Sequence, residues 1–76
     1  MEEFLRYVIG ALVEFPDELV ITRTDSPGRV TFHVAMRHSD LPRAIGKGGS
    51  TVEALRSLLH AAAQKRGTKA YLELVE

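Results

Sequence analysis

The sequence has no cysteine, no net charge and no long apolar run. Without cysteine, disulfides and thiolate-based metal sites are excluded, and nothing points to an oxidising compartment. The apolar stretch from Tyr7 to Val13 is too short to span a bilayer. It follows acidic rather than basic residues and shows no signal-peptide cleavage pattern, so the expected location is the cytoplasm, away from membranes. A net charge of zero argues against a protein that holds nucleic acid mainly through a large positive field.

The charge is nevertheless uneven. Residues 1–20 carry five acids and one base, residues 21–69 carry nine bases and three acids, and residues 70–76 carry two acids. The basic character belongs to the middle of the chain. Hydrophobic residues make up 45% and charged residues 26% of the 76 positions, which suits a folded chain rather than a disordered tail. At this length one core must serve the whole sequence, so residues 1–76 are expected to form a single domain.

Periodicity assigns the elements. Phe4, Leu5, Val8, Ala11, Leu12 and Phe15 have the one-sided spacing of an amphipathic helix, and Pro16 stops it near Phe15. Leu19 to Thr24 is short and β-branched, and from Arg29 to Arg37 the apolar residues Val30, Phe32, Val34 and Met36 alternate; both stretches predict strands. Asp25-Ser26-Pro27-Gly28 between them predicts a hairpin turn. Ser39 or Asp40 is the expected cap of a short helix through Ile45, with Pro42 in its first turn. A longer helix is expected from Ser50 to Arg66, with Val52, Leu55, Leu59 and Ala62 as its buried stripe and Gly67 as its C-cap, followed by a strand from Lys69 to Val75. The order is α-β-β-α-α-β. Strands two and three are joined by a helical crossover and should be parallel, giving an α+β fold with a three-stranded mixed sheet covered on one face by three helices.

The chemically distinctive segment is Gly46-Lys47-Gly48-Gly49, between the second and third helices. Three glycines leave little side-chain bulk where one helix ends and another begins, so a foreign backbone can approach closely. The start of the long helix offers free N–H groups, Lys47 adds a mobile cation, and Ser50 and Thr51 add hydroxyls, a combination suited to phosphate. A tight turn would explain the glycines alone. It would not require a lysine between them or the flanking aliphatics Ile45 and Val52. A Walker A loop ending at Gly46-Lys47 would need glycine at Leu41 and a hydroxyl residue at Gly48; a dinucleotide fingerprint from Gly46 would need glycine at Thr51. Neither fits, and no cofactor is expected.

The run Ile45-Gly46-Lys47-Gly48-Gly49-Ser50-Thr51-Val52 resembles the KH-domain signature, in which I-G-x-x-G-x-x-I links two helices. The element order resembles the type II KH arrangement, and the whole chain is similar to the KhpA family of small bacterial KH proteins. That resemblance implies a post-transcriptional regulator or RNA chaperone. It would bind single-stranded RNA with the loop against the sugar-phosphate backbone and about four nucleotides in the adjoining groove. Carried over by position, Gly46, Lys47, Gly48 and Gly49 hold the backbone, Ile45 and Val52 line the groove floor, and Arg43 and Lys47 contact phosphate, with Ser50 and Thr51 beside them. Arg37, His38 and Arg56 are either neighbours of this site or solvated surface residues. Lys65, Arg66 and Lys69 form either an opposite lip or simple partners of the helix dipole. The strands carry no cluster of aromatics for base stacking: Phe32 alternates onto the apolar face, and Tyr71 onto the other.

Catalysis is not expected. The consecutive residues His38-Ser39-Asp40 cannot readily converge as a triad, and His33 and His60 lack the spacing or carboxylate partners of a metal site. The stronger alternative is a protein-interaction module. Ala54, Leu58 and Ala61 make a second apolar line on the long helix, which is either part of a broad core face or a surface where two long helices meet. The family resemblance implies pairing, as a homodimer or with a larger KH-containing protein.

Overall fold

The computed structural model describes residues 1–75. Its elements are α1 (Glu2–Leu12), β1 (Val20–Ser26), β2 (Arg29–Ala35), α2 (Leu41–Ile45), α3 (Ser50–Lys65) and β3 (Lys69–Val75), in the expected α-β-β-α-α-β order. Short 3-10 turns at Pro16–Glu18, His38–Asp40 and Lys47–Gly49 join them. β2 is the central strand, antiparallel to β1 and parallel to β3, so the sheet is mixed. The right-handed crossover preferred between parallel strands explains why α2 and α3 lie on one face.

Strand alternation builds the core. The pairs Ile21–Val34–Leu74, Phe32–Leu72 and Val30–Ala70 place one apolar set on one face of the sheet. Against it pack Leu5 and Ile9 of α1, Ala44 of α2, and Val52, Leu55 and Leu59 of α3. The opposite face carries Thr22, Thr24, Thr31, His33, Tyr71 and Glu73, in step with the period-two rule.

Two expected stripes are displaced. α1 ends at Leu12 rather than Phe15, and its buried residues are Leu5 and Ile9, with Val13 at its end, whereas Phe4, Ala11 and Leu12 are exposed. Spacings of four residues keep the buried set on one line, and Ile9 lies on that line while Phe4 and Leu12 lie beside it. On α3 the stripe is Val52, Leu55, Leu59 and Ala63, and Ala62 is exposed. Ala63 lies close to three full turns beyond Val52, whereas Ala62 is most of a third of a turn off the line. The hairpin is tighter than expected: β1 continues through Asp25 and Ser26, leaving Pro27-Gly28 as the turn, with Gly28 at φ 72°. β2 stops at Ala35, short of Arg37.

Asp40 does not cap α2 through its side chain. Its carboxylate is 1% exposed and accepts hydrogen bonds from the backbone N–H groups of Glu14 (2.9 Å) and Phe15 (3.0 Å). It satisfies the chain leaving α1 instead of the helix it precedes, and the need of a buried carboxylate for donors is met across 26 residues of sequence. At the far end of α3, Gly67 N–H donates to the Gln64 carbonyl and Thr68 N–H to the Ala63 carbonyl, the paired bonds of a Schellman cap.

Candidate nucleic-acid interface

The glycine turn leaves α2 at Gly46, where φ is 79° and ψ is 168°. A Cβ on this residue would lie 2.7 Å from the Cβ of Thr51 and 2.8 Å from its N, so Gly46 is held against the first turn of α3. Thr51 is therefore part of the loop's support, its side chain turned toward Gly46. Gly48 and Gly49 also have positive φ, but a Cβ there would meet nothing within 4 Å. That side of the loop is open to an approaching backbone. Gly49 occupies the N-cap of α3 without a side-chain cap, and the N–H of the exposed Ser50 donates to the Lys47 carbonyl.

Charge pairing separates the cations. Arg6, Arg23, Arg37, Arg43 and Arg56 pair with Glu2, Asp25, Glu18, Glu14 and Glu53, respectively. Among the described residues Lys47 has no carboxylate within ion-pair distance, and neither have Arg29, Lys65, Arg66 and Lys69. Lys47 is thus an exposed, unpaired cation at the tip of the turn. Arg43, expected at phosphate, lies 3.8 Å from Glu14 and 3.7 Å from Asp40, which draws it toward the α1 side of α2. Arg37 lies over the Phe15 ring at 3.7 Å, and its hydrogen bond to Glu18 raises its pKa above the ordinary arginine value. These contacts give Arg37 a local role.

The flanking aliphatics divide. Ile45 is half-buried and packs against the core, whereas Val52 is 6% exposed and belongs to the core itself. Val52 fixes α3 beneath the loop; it does not line an open floor.

The concave surface lies alongside α3. A groove of about 600 Å³ runs between α3 and the edge strand β3, walled by Arg56, Ser57 and His60 on the helix and Tyr71, Leu72 and Glu73 on the strand. Arg56 closes its inner side. Its Nε and Nη2 donate to the Leu72 carbonyl at 3.3 and 3.1 Å, and Nη1 donates to Glu53 at 2.8 Å. The guanidinium is held from two directions, and its plane is part of the groove wall. On the outer side His33 Nδ1 lies 3.3 Å from Glu73. Ser57, His60 and Glu73 had no signal in the sequence, because only the docking of α3 on β3 brings them together.

A third face of α3 carries Ala54, Leu58 and Ala61, all exposed, with Leu58 at 55%. These residues are not part of a broad core face. They point away from Val52, Leu55 and Leu59, and they lie apart from the groove residues Arg56 and His60.

A family model described as KhpA/KhpB, KH domain, matches residues 2–74. The chain belongs to this family of KH domains. It is 33% identical over 76 residues to the RNA-binding protein KhpA of Listeria monocytogenes serovar 1/2a, with the full length of both chains covered. It is 32% identical to the RNA-binding protein KhpA of Chlamydia trachomatis serovar D, covering all of this chain and 97% of the relative. Identity to the RNA-binding protein KhpA of Oceanobacillus iheyensis is 27% over 75 residues, covering 99% of this chain and all of the relative. No solved structure matched the chain. The mixed sheet and the helix–glycine turn–helix unit constitute the KH architecture of this protein.

Proposed function

We propose that this protein binds single-stranded RNA, with the sugar-phosphate backbone at Gly46-Lys47-Gly48-Gly49 and the bases in the groove between α3 and β3. The observation that carries this reading is the open turn at the start of α3, whose cation, Lys47, has no ion pair among the described residues. The names of the Listeria and Chlamydia relatives support the same ligand. Backbone N–H groups and Ser50 contact phosphate, Thr51 shapes the turn through Gly46, and Ile45 supports its base. The role is binding rather than catalysis, in the cytoplasm, as a regulator or chaperone of RNA. With few unpaired cations, affinity for a lone domain is expected near the micromolar range and to fall as salt rises.

The test is the double substitution Lys47→Asp and Gly48→Asp. It places negative charge where phosphate docks, and the Cβ added at Gly48 meets no protein atom within 4 Å, so its cost is the positive-φ backbone strain alone. Loss of single-stranded RNA binding in a gel-shift assay, with a native circular dichroism spectrum, is the expected result. Binding equal to that of the unmodified protein would rule this loop out as the site.

A second reading concerns pairing. The exposed line Ala54, Leu58 and Ala61 leaves small residues around one leucine, a surface on which another helix can approach closely. We propose that two copies pair through α3, or that α3 pairs with a larger KH-containing protein, with the glycine turns left open.

A further inference from the structure

The five lysines and arginines without an ion pair among the described residues are not scattered. Lys47 is at the glycine turn, whereas Arg29, Lys65, Arg66 and Lys69 are gathered where α3 ends, β3 begins and the β1–β2 hairpin turns. The Lys69 N–H donates to the Gly28 carbonyl at 3.0 Å, which ties the start of β3 to the hairpin. Register then sets Arg29 directly beside Lys69, and Thr31 beside Tyr71. The Arg29 guanidinium lies 5.8 Å from the centroid of the Tyr71 ring, and the ring is 45% exposed. Tyr71 also walls the groove. One residue therefore belongs both to the groove and to the basic end of the outer sheet face.

We propose that this basic end is a second nucleic-acid contact, which takes the stretch of single-stranded RNA leaving the groove. Arg29 and Lys69 hold its phosphate, and the Tyr71 ring with the Arg29 guanidinium gives a flat surface against which the next base stacks. The chemistry favours nucleic acid over an acidic peptide, because a cation beside an exposed ring serves a phosphate and a base together. This inference rests on the RNA reading given above, and it predicts that the protein distinguishes RNA by length beyond the four nucleotides a KH groove holds.

The experiment measures binding of fluorescein-labelled random-sequence RNA pools, four and eight nucleotides long, by anisotropy at several salt concentrations. The proteins are the full chain, the Arg29→Ser/Lys69→Ser variant and the Tyr71→Ala variant, each checked for a native melting curve; all three side chains are at the surface. The Arg29→Ser/Lys69→Ser variant should lose about ten-fold in affinity for the eight-nucleotide pool and little for the four-nucleotide pool, whereas Tyr71→Ala, whose ring also walls the groove, should weaken both pools and the eight-nucleotide pool more. In the double variant the slope of log affinity against log salt should fall by roughly 0.7 for each phosphate contact removed. Unchanged eight-nucleotide binding in both variants would overturn the proposal, as would equal losses for the two pools, which would mean only a general field. Failure of the unmodified protein to bind either pool would overturn the RNA reading as well.

Discussion

The carboxylate of Asp40 accepts the backbone N–H of Phe15 at 3.0 Å, fastening the segment after α1 to the start of α2. The same carboxylate takes the N–H of Glu14 at 2.9 Å, and Arg43 approaches it at 3.7 Å. Because α2 leads directly into the glycine turn, this fastening fixes the platform from which the turn projects. A buried carboxylate with two backbone donors is costly to remove, since its donors are then left without an acceptor.

Asp40→Ala should therefore destabilise the fold by about 2–3 kcal/mol. For a chain of this size that lowers the melting temperature by roughly 10–20 °C. Asp40→Asn retains one acceptor oxygen and should lose less, about 1–2 kcal/mol. Thermal denaturation followed by circular dichroism measures both; equal stability of all three proteins would show that the two hydrogen bonds contribute nothing.

Gly46 and Gly48 are both at positive φ but differ in surroundings. Gly46→Ala drives a methyl group into Thr51, whereas Gly48→Ala adds one in open space. Gly48→Ala carries the left-handed backbone cost of about 1–2 kcal/mol, whereas Gly46, at φ 79° and ψ 168°, lies in a region reserved for glycine, so Gly46→Ala carries a strain of about 1–3 kcal/mol and the steric clash in addition. Denaturant titration should rank Gly46→Ala as clearly the less stable. The reverse order would mean that the turn relaxes away from α3.

Arg56 tests the groove wall. Arg56→Leu removes three hydrogen bonds, two to the Leu72 carbonyl and one to Glu53. Stability should fall by about 1–2 kcal/mol, moderated by the partial exposure of the group. RNA affinity should fall several-fold, as both the planar guanidinium and its donors leave the groove. Arg56→Lys should recover little of either property, because an ammonium lacks the planar fork. Full recovery of RNA binding by lysine would show that charge alone matters at this position.

Leu58→Asp addresses pairing. Leu58 is 55% exposed and lies away from the core, so the substitution should leave the melting curve nearly unchanged. Sedimentation at tens of micromolar should show a dimer for the unmodified protein and a monomer for the variant. A strictly monomeric unmodified protein would remove the α3 pairing proposal.

Spacing along the chain was enough to order the six elements, because helix and strand periods are local properties of apolar residues. β3 from Lys69 to Val75 and the parallel crossover into it were legible in this way. The glycine turn was legible too: positive φ at Gly46, Gly48 and Gly49 is a demand on residue type, and it leaves its mark in the composition of a short segment. Ala62 and Ala63 differ by one position, and the helical period counted from Val52 selects Ala63, which faces inward. Where two lines on a helix are both apolar, spacing cannot choose between them. For the same reason Leu58 was undecided until the docking of α3 turned it to solvent.

The sequence by itself thus determined the fold's order, its mixed sheet and the position of the open turn, all consequences of local periodicity and backbone freedom. Tertiary structure alone decided which polar groups meet. It brought Asp40 to Glu14 and Phe15, Arg56 to Leu72, and Arg29 to Tyr71. Those pairs are separated by many residues, and a hydrogen bond or a stacked cation is specified by distance in space, which no spacing along the chain encodes.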